Sequence, residues 1–153
     1  MQTFFNDYLN LLQRCHNDIL EVLEGLPPAA LDWKPGHDMN SISVLVFHLT
    51  GSERYWIGDV AAHDSSQRDR DSEFRVYDVD VNVLKKRLAD NLEYALNVLD
   101  KLDIQDLETN RVTTSGNEVT VGWALLHALE HATLHLGQIQ LTRQLWEQSK
   151  GNA

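Results

Sequence analysis

The sequence predicts an all-α protein, a four-helix bundle with long connecting loops. Apolar residues recur at three- and four-residue steps over four long segments, and proline and glycine fall between those segments. No alternating apolar and polar run is long enough to form a sheet. Four long helices joined by loops of unequal length are typical of a bundle. A chain of 153 residues, 42% of them apolar, can bury one full core, so we expect a single domain over residues 1–153.

The first half of the chain predicts two of the four helices. The first helix is expected over residues 3–26, because Pro27-Pro28 ends the apolar period. Residues 29–40 are predicted to form a loop. Asn40 or Ser41 can cap a second helix that reaches about residue 62.

The second half predicts the other two helices. Residues 63–76 are highly charged and are typical of a solvated loop or a frayed helix end. A third helix is expected over residues 79–102, led by Asp80, and residues 103–119 suit a turn or a small hairpin. Thr120 then caps a final helix that runs to about residue 148.

Charge and composition exclude several classes of protein. Acidic residues outnumber basic residues 23 to 13, and binding to nucleic-acid phosphates would need a basic face, so no nucleic-acid partner is expected. The longest stretch without Asp, Glu, Lys or Arg, residues 39–52, is too short to span a bilayer. Cys15 is the only cysteine, and the first residues lack the basic start of a signal peptide. We therefore expect a cytoplasmic protein with no membrane partner.

The last helix carries three histidines at four-residue spacing, His127, His131 and His135. At 3.6 residues per turn they occupy a stripe only about 80° wide. The polar residues of this helix cluster on an arc nearly opposite His131 and His135. These two histidines are therefore predicted to face the interior of the bundle.

The second helix gives the same prediction for His48. Its side chain lies roughly opposite the polar arc of that helix, which we expect to be formed by Ser43, Thr50, Glu53 and Arg54. Three inward imidazoles from two helices, His48, His131 and His135, can then meet inside one bundle.

Two interpretations of these histidines remain open at this point. A single histidine on a buried face is most often a hydrogen-bonded core residue, which is also our prediction for His16. Three converging imidazoles each need a partner for their ring nitrogens, and a divalent ion can satisfy one nitrogen on each. The spacing of His131 and His135 also suits a shared ion, because residues i and i+4 lie side by side on a helix.

Other motif interpretations fail on details. Residues 127–131 match H-x-x-E-H, the inverted zinc-protease signature, but Glu130 falls on the polar arc and only 22 residues follow His131. A ferritin-like di-iron bundle would need Glu-x-x-His motifs, and the sequence contains none. Cys15 is interpreted as a small buried hydrophobic residue, and Trp33 and Trp123 as packing residues.

Two segments resemble motifs of a known family, the DinB-like superfamily, which includes the bacillithiol-transferase-like proteins. Residues 40–49, NSISVLVFHL, resemble its second-helix motif, and Glu53, Tyr55 and Trp56 follow at familiar positions. Residues 127–139, HALEHATLHLGQI, resemble its last-helix motif, and residues 31–35, LDWKP, fit as well. Members commonly have arginine after the last histidine, where this chain has Leu136, so the anion contact of that arginine does not carry over.

The resemblance implies a metal site and a dimer. One divalent ion, Zn, Ni, Fe or Mn, would be held by His48, His131 and His135 with open coordination positions, and the protein would be a homodimer. His127 would be either a group near the metal that assists in proton transfer or a plain core histidine. Ser52 and Tyr55, one and two turns beyond His48, either line a pocket beside the ion or have surface or packing roles.

An open coordination position is typical of a catalytic metal site, and three functions are compatible with it. Because members of the family that the chain resembles include thiol S-transferases, the resemblance implies a metal-dependent thiol S-transferase, in which a low-molecular-weight thiol bound to the metal as thiolate attacks an electrophilic small molecule. The alternatives are a metal-dependent hydrolase that uses metal-bound water and a non-catalytic metal-binding stress-response protein.

Overall fold

Four long helices form the protein, as expected. The computed structural model describes residues 1–151. In chain order the α-helices are α1 (Thr3–Leu23), α2 (Pro28–Asp32), α3 (Ile42–Glu53), α4 (Arg70–Glu73), α5 (Val81–Leu99) and α6 (Val121–Gly151). The helix of α3 continues without a break as a π-helical segment, Arg54–Ala61. The all-α, four-helix prediction is confirmed, and none of the described helices is both long and apolar enough to cross a membrane.

A short connection with two strands separates α5 from α6. A 3-10 helix, Ile104–Glu108, precedes an antiparallel hairpin of β1 (Asn110–Val112) and β2 (Glu118–Thr120). Arg111 lies opposite Val119 in this hairpin. The small hairpin expected between the third and fourth long helices is therefore present.

The packing of the helices places α3 against α6. Both α1 and α3 pack against α5 and α6. The helix α5 therefore lies between α1 and α3 on one side of the bundle, and α6 lies between them on the other side. The order around the bundle is therefore α1, α6, α3, α5. As a consequence, the two helices that carry the predicted metal ligands are direct neighbours.

The predicted helix caps are present. The Ser41 hydroxyl accepts a hydrogen bond from the Val44 amide at 3.3 Å, and the Thr120 hydroxyl accepts one from the Trp123 amide at 3.1 Å. Asp80 caps α5 by accepting from the Asn82 amide at 2.7 Å. Each cap satisfies an amide that has no partner within its helix.

Several predicted boundaries were wrong, and the third helix, expected over residues 79–102, spans only Val81–Leu99. The first helix ends at Leu23 rather than at residue 26, because Gly25 takes a left-handed conformation with φ +71°. Residues 29–40 are not all loop, since α2 begins at Pro28. Proline favours the first turn of a helix because its fixed φ suits that turn and its missing amide is not needed there.

The polar arc predicted for the second helix was also wrong. Ser43, Thr50 and Glu53 are buried rather than solvated. The helix α3 is covered on several sides, since α2, α4, α5 and α6 all pack against it. Buried polar groups need partners, and Thr50 finds one by donating its hydroxyl hydrogen to the Val46 carbonyl at 2.8 Å.

Glu53 belongs to a buried polar cluster that joins α1, α3 and α5. The His16 Nε2 lies 3.0 Å from both carboxylate oxygens of Glu53, and its Nδ1 lies 3.2 Å from the Leu88 carbonyl oxygen. The Asn91 amide also donates to Glu53. Because a carbonyl and a carboxylate only accept hydrogen bonds, both ring nitrogens of His16 carry hydrogen and the ring is an imidazolium. Burial lowers the pKa of His16, but the Glu53 charge and hydrogen bonds outweigh burial and raise it.

Removal of this carboxylate should destabilise the fold. In Glu53→Ala, His16 loses its buried counter-charge, and we expect the free energy of unfolding to fall by about 3–5 kcal/mol. Urea denaturation followed by circular dichroism measures this change. The control is Glu93→Ala, an exposed residue of α5, which should stay within about 0.5 kcal/mol of the parent protein. Equal losses in the two variants would contradict the assignment of His16 and Glu53 as a buried ion pair.

Candidate metal centre

The three histidines predicted as metal ligands lie together between α3 and α6. One ring nitrogen from each of His48, His131 and His135 lies within 4.8 Å of the other two. The His48 ring centroid is 5.0 Å from that of His131 and 5.0 Å from that of His135. The structure thus brings together two residues of one helix and one residue distant in sequence.

The pair on α6 shows the tightest approach. His131 and His135 are one turn apart, and their Nε2 atoms are 3.1 Å from each other. Two nitrogens that bind one tetrahedral zinc ion at 2.0–2.1 Å lie about 3.4 Å apart. The separation of the two Nε2 atoms is therefore close to that of two ligands on a shared ion.

His131 has the ring for which the protein supplies the fewest partners. Its Nδ1 is buried and has no hydrogen-bond partner among the described residues. Its Nε2 faces only the Nε2 of His135. A divalent ion shared with His135 would give the His131 Nε2 a partner that the chain does not supply, and imidazole nitrogens form a donor set that suits zinc, nickel and iron. The residues present therefore fit a divalent metal ion.

Hydrogen bonds orient the other two rings. The His48 Nδ1 donates to the Glu73 carboxylate at 2.9 Å, and the His135 Nδ1 donates to the Gln138 side-chain oxygen at 2.7 Å. In both rings this leaves Nε2 as the nitrogen with a lone pair. Such partners typically fix the orientation and tautomer of metal-binding histidines.

Sequence reasoning missed Glu73. It lies in α4, within the charged segment 63–76 that we expected to be solvated, yet only 5% of it is exposed. Its carboxylate also pairs with Arg68, at 2.6 Å from Nε and 2.8 Å from Nη2. No spacing or motif connects Glu73 to His48, which is 25 residues away, so nothing in the sequence indicated this contact.

The environment favours the neutral form of His131 and His135. Burial, together with the positive charges of neighbouring histidines and Arg68, lowers the pKa of His131 to about 3. Burial also lowers the pKa of His135, although the hydrogen bond to Gln138 opposes this. Burial alone would raise the pKa of Glu73, but its bonds to Arg68 and His48 outweigh burial and lower it. Neutral imidazoles have the free lone pair that a metal requires.

A cleft of about 530 Å³ opens beside the histidines. His48 and His131 line it, and so do Ser52, Tyr55 and Trp56 of the α3 helix and its continuation. The Tyr55 hydroxyl accepts a hydrogen bond from the Thr114 amide at 3.0 Å, which ties the hairpin turn to the edge of this cleft. Ser52 and Tyr55, for which pocket, surface and packing roles were open, therefore line this cleft.

His127 also lines the cleft but is not one of the three clustered histidines. Its ring centroid is 6.0 Å from that of His131, and its Nδ1 lies 3.1 Å from the Glu130 carboxylate. Trp123 stacks on it at 4.8 Å, and Trp56 contacts it edge-on at 4.8 Å. Trp123 therefore packs as expected, and the residue that it packs against is His127 of the cleft.

Cys15 lies outside the site and is 3% exposed. Burial, followed by the nearby charges of Glu53 and Asp18, raises the pKa of its thiol to about 12. A thiol is nucleophilic only when it is deprotonated. Cys15 is therefore an inert core residue, as predicted.

The fold and the site together define a helical-bundle protein with a three-histidine cluster beside an open cleft. The chain belongs to the DinB superfamily, whose family model matches residues 11–139. No curated protein matches the chain in sequence.

Several solved structures share the fold. A conserved protein from Enterococcus faecalis is 19% identical, with a TM-score of 0.80 over 95% of this chain and 98% of that chain. YfiT from Bacillus subtilis, described as a probable metal-dependent hydrolase with an unusual four-helix bundle topology, is 14% identical, with a TM-score of 0.76 over 94% and 89% of the two chains. The mycothiol-dependent maleylpyruvate isomerase is 12% identical, with a TM-score of 0.66 over 91% of this chain and 63% of its own. At these identities the comparisons show the fold alone.

Acid should destabilise the metal-free protein through His131. An unfolded histidine has a pKa of about 6.5, whereas His131 in the folded protein has a pKa of about 3. Between these two pH values the unfolded chain therefore binds more protons than the folded protein. The free energy of unfolding is highest above pH 6.5 and decreases as the pH falls towards 3.

Urea denaturation of chelator-treated protein at pH 7, 5.5 and 4.5 measures this loss. His131→Asn should show a smaller decrease in unfolding free energy with acid than the parent protein. His37→Asn, at an exposed loop position, is the matched control and should follow the parent protein. If His131→Asn also follows the parent protein, the depressed pKa is refuted.

Proposed function

We propose that this protein binds one divalent metal ion through His48, His131 and His135 and transfers a low-molecular-weight thiol to electrophilic small molecules. The observation that carries the proposal is the cluster of three histidine nitrogens within 4.8 Å of one another, beside an open cleft. Among the described residues, no fourth His, Cys, Asp or Glu joins this cluster. Three protein ligands with an open position are typical of catalytic rather than structural metal sites.

The cleft has the size and lining that a small substrate requires. Pockets for small molecules usually measure about 300–1,000 Å³ and combine aromatic walls with a few polar groups. Here Tyr55 and Trp56 supply aromatic surface, and the Ser52 hydroxyl is a polar group near His48. Arg70 also lines the cleft and offers a cation to an acidic substrate or thiol.

The chemistry divides between the ion and the chain. A bound divalent ion would supply the positive charge that keeps a thiol deprotonated near neutral pH. The chain then positions the electrophilic carbon beside the sulfur, so that the carbon–sulfur bond forms as the leaving group departs. We assign uptake of the thiol proton to His127, because the contact of its Nδ1 with Glu130 leaves its Nε2 available.

The comparisons support both metal and thiol dependence. The isomerase that shares the fold is described as mycothiol-dependent, and YfiT as a probable metal-dependent hydrolase. A cytoplasmic location also fits the proposal, because low-molecular-weight thiols stay reduced there.

Hydrolysis is the second candidate function, favoured by the position of His127. A histidine that lines the cleft beside the metal ligands suits a general base for a water nucleophile. The two functions differ in the nucleophile, and a non-catalytic metal-binding protein would use neither.

Metal analysis tests the site itself. Protein purified without an affinity tag should contain about one divalent ion per chain by elemental analysis. His48→Ala, His131→Ala and His135→Ala should each lose it, because two remaining imidazoles bind too weakly. His127→Ala is the matched control from the same helix and should keep the metal. Metal retained in all three ligand variants, or absent from the parent protein after reconstitution, would refute the site.

The reaction is tested on the metal-loaded protein. Incubation with a panel of low-molecular-weight thiols and an alkyl halide should form the thioether faster than without protein, and His131→Ala should abolish the increase. Ester hydrolysis without added thiol would instead establish the hydrolase. Metal binding with neither reaction would favour the non-catalytic alternative.

We also propose that the protein is a homodimer, paired through an exposed face of α6. Leu126, Leu134 and Leu141 lie on one side of this helix and are 58%, 59% and 50% exposed. Large exposed leucines on one face are typical of a protein–protein contact. Leu11 of α1 is also exposed and lines a groove together with Leu126.

Light scattering with size-exclusion chromatography tests the dimer. The parent protein should elute with the mass of two chains, and Leu134→Lys should shift it towards one chain, because a charge at the interface is costly. Val83→Lys, at an exposed apolar position of α5, should leave the dimer intact. A monomeric parent protein would refute the proposal.

A further inference from the structure

The charged segment before α5 makes an unexpected contact with the histidine cluster. Glu73 and Phe74 both contact His48, the carboxylate at Nδ1 and the phenyl ring with its centroid 4.8 Å from the imidazole centroid. One short segment therefore contacts this ring twice, through the Glu73 carboxylate and through the Phe74 ring. None of the groups in this segment belongs to the three-histidine cluster itself.

We infer that Glu73 is a positioning residue for the metal centre: it holds His48 with hydrogen on Nδ1 and the lone pair on Nε2. Two hydrogen bonds from Arg68 fix the Glu73 carboxylate, and Gly51 leaves the space that it occupies. This inference rests on the proposed metal site. Phe74 contacts the same ring, and Glu73 determines which nitrogen carries the hydrogen.

The hydrogen-bond geometry determines the tautomer of His48. Its Nδ1 lies 2.9 Å from the Glu73 Oε2 and 3.4 Å from the Arg68 Nη2. The Arg68 Nη2 already donates to the same carboxylate oxygen at 2.8 Å. A nitrogen lone pair next to a carboxylate oxygen at 2.9 Å would be repulsive, whereas an N–H group there makes a charge-assisted hydrogen bond. Nδ1 therefore carries the hydrogen, and Nε2 presents its lone pair.

Arg68 holds the carboxylate in a single orientation. Its Nε contacts the Glu73 Oε1 at 2.6 Å, and its Nη2 contacts Oε2 at 2.8 Å. Two parallel bonds from one guanidinium fix both the position and the plane of a carboxylate. Arg68 and Glu73 are both largely removed from solvent, with side chains 15% and 6% exposed. The carboxylate is thus rigidly placed before any metal binds.

Gly51 provides the space for this carboxylate. It lies one turn after His48 on α3, and a Cβ added there would collide with the Glu73 Oε1 and lie 2.8 Å from Cδ. The carboxylate cannot move aside without breaking its bonds to Arg68 or His48. Glycine inside a helix costs about 1 kcal/mol relative to alanine. The close approach of Glu73 accounts for a glycine at this position.

The tautomer of His48 can be measured without metal. Long-range ¹⁵N–¹H NMR of the chelator-treated protein should show His48 with hydrogen on Nδ1, and Glu73→Ala should shift it towards hydrogen on Nε2. Glu130→Ala, which removes the carboxylate beside His127 instead, should leave the His48 signals unchanged. Hydrogen on Nε2 of His48 in the parent protein would overturn the inference, whether or not the protein binds metal.

Metal affinity tests the consequence. Titration of the metal-free protein with Co²⁺ should show a Kd about 10–100-fold weaker for Glu73→Ala than for the parent protein, with one ion still bound per chain. The visible cobalt absorption bands should also shift, because the ligand field at His48 changes. Glu73→Gln, whose amide oxygen can still accept from Nδ1, should recover part of the affinity. An unchanged Kd and spectrum in Glu73→Ala would overturn the inference.

Gly51→Ala provides a second variant that leaves the carboxylate chemically intact. It should weaken Co²⁺ binding by displacing Glu73, and the double variant with Glu73→Ala should be no weaker than Glu73→Ala alone, because both changes act through one contact. Additive losses would show that Gly51 acts independently and would refute its assigned role. If the parent protein has hydrogen on Nδ1 of His48 but binds no Co²⁺, the proposed function fails and the carboxylate's control of the tautomer stands.

Discussion

The meeting of three largely buried imidazoles between α3 and α6 is the constraint on which the site depends. Each neutral ring has two nitrogens to satisfy, and the bundle interior offers few partners for them. Glu73 satisfies one nitrogen of His48, and Gln138 satisfies one nitrogen of His135. Among the described residues, His131 has no partner except the ring of His135. The arrangement thus concentrates unused lone pairs at one point, which is the requirement for a metal-binding site.

The helix α3 joins the stable core to the reactive site. Towards α1 and α5 its Glu53 binds a buried imidazolium, and towards α6 its His48 faces the cleft. Its outer side admits the Glu73 carboxylate at Gly51. The carboxylates of Glu53 and Glu73 are both largely removed from water. A small displacement of α3 would therefore leave a buried charge without its partner and lower the free energy of unfolding. The same contacts that stabilise the fold therefore hold His48 in place.

Much of the fold and the pairing of His131 with His135 on one side of α6 could be predicted from local patterns. Helix caps such as Ser41, Asp80 and Thr120 involve residues only two or three positions apart, so their effect is visible in the sequence. The spacing of His131 and His135 likewise determines that they share one side of α6. The burial of Thr50 and Glu53 could not be predicted, because polarity along a helix does not reveal how many other elements will cover it.

The sequence by itself determined the four helices, the predicted caps and the side of α6 that His131 and His135 share, since these follow from patterns within single helices. It did not determine the direction of His48, because most of the polar arc used to predict that direction is itself buried. Only the tertiary structure decided that α3 and α6 are neighbours and that Glu73 reaches His48. The physical reason is range: periodicity acts over one or two helical turns, whereas the Glu73 contact depends on a short segment folding back onto α3. The charged residues of this segment would be equally stable in solvent. The Glu73 carboxylate is buried because Gly51 leaves space for it and Arg68 pairs with it.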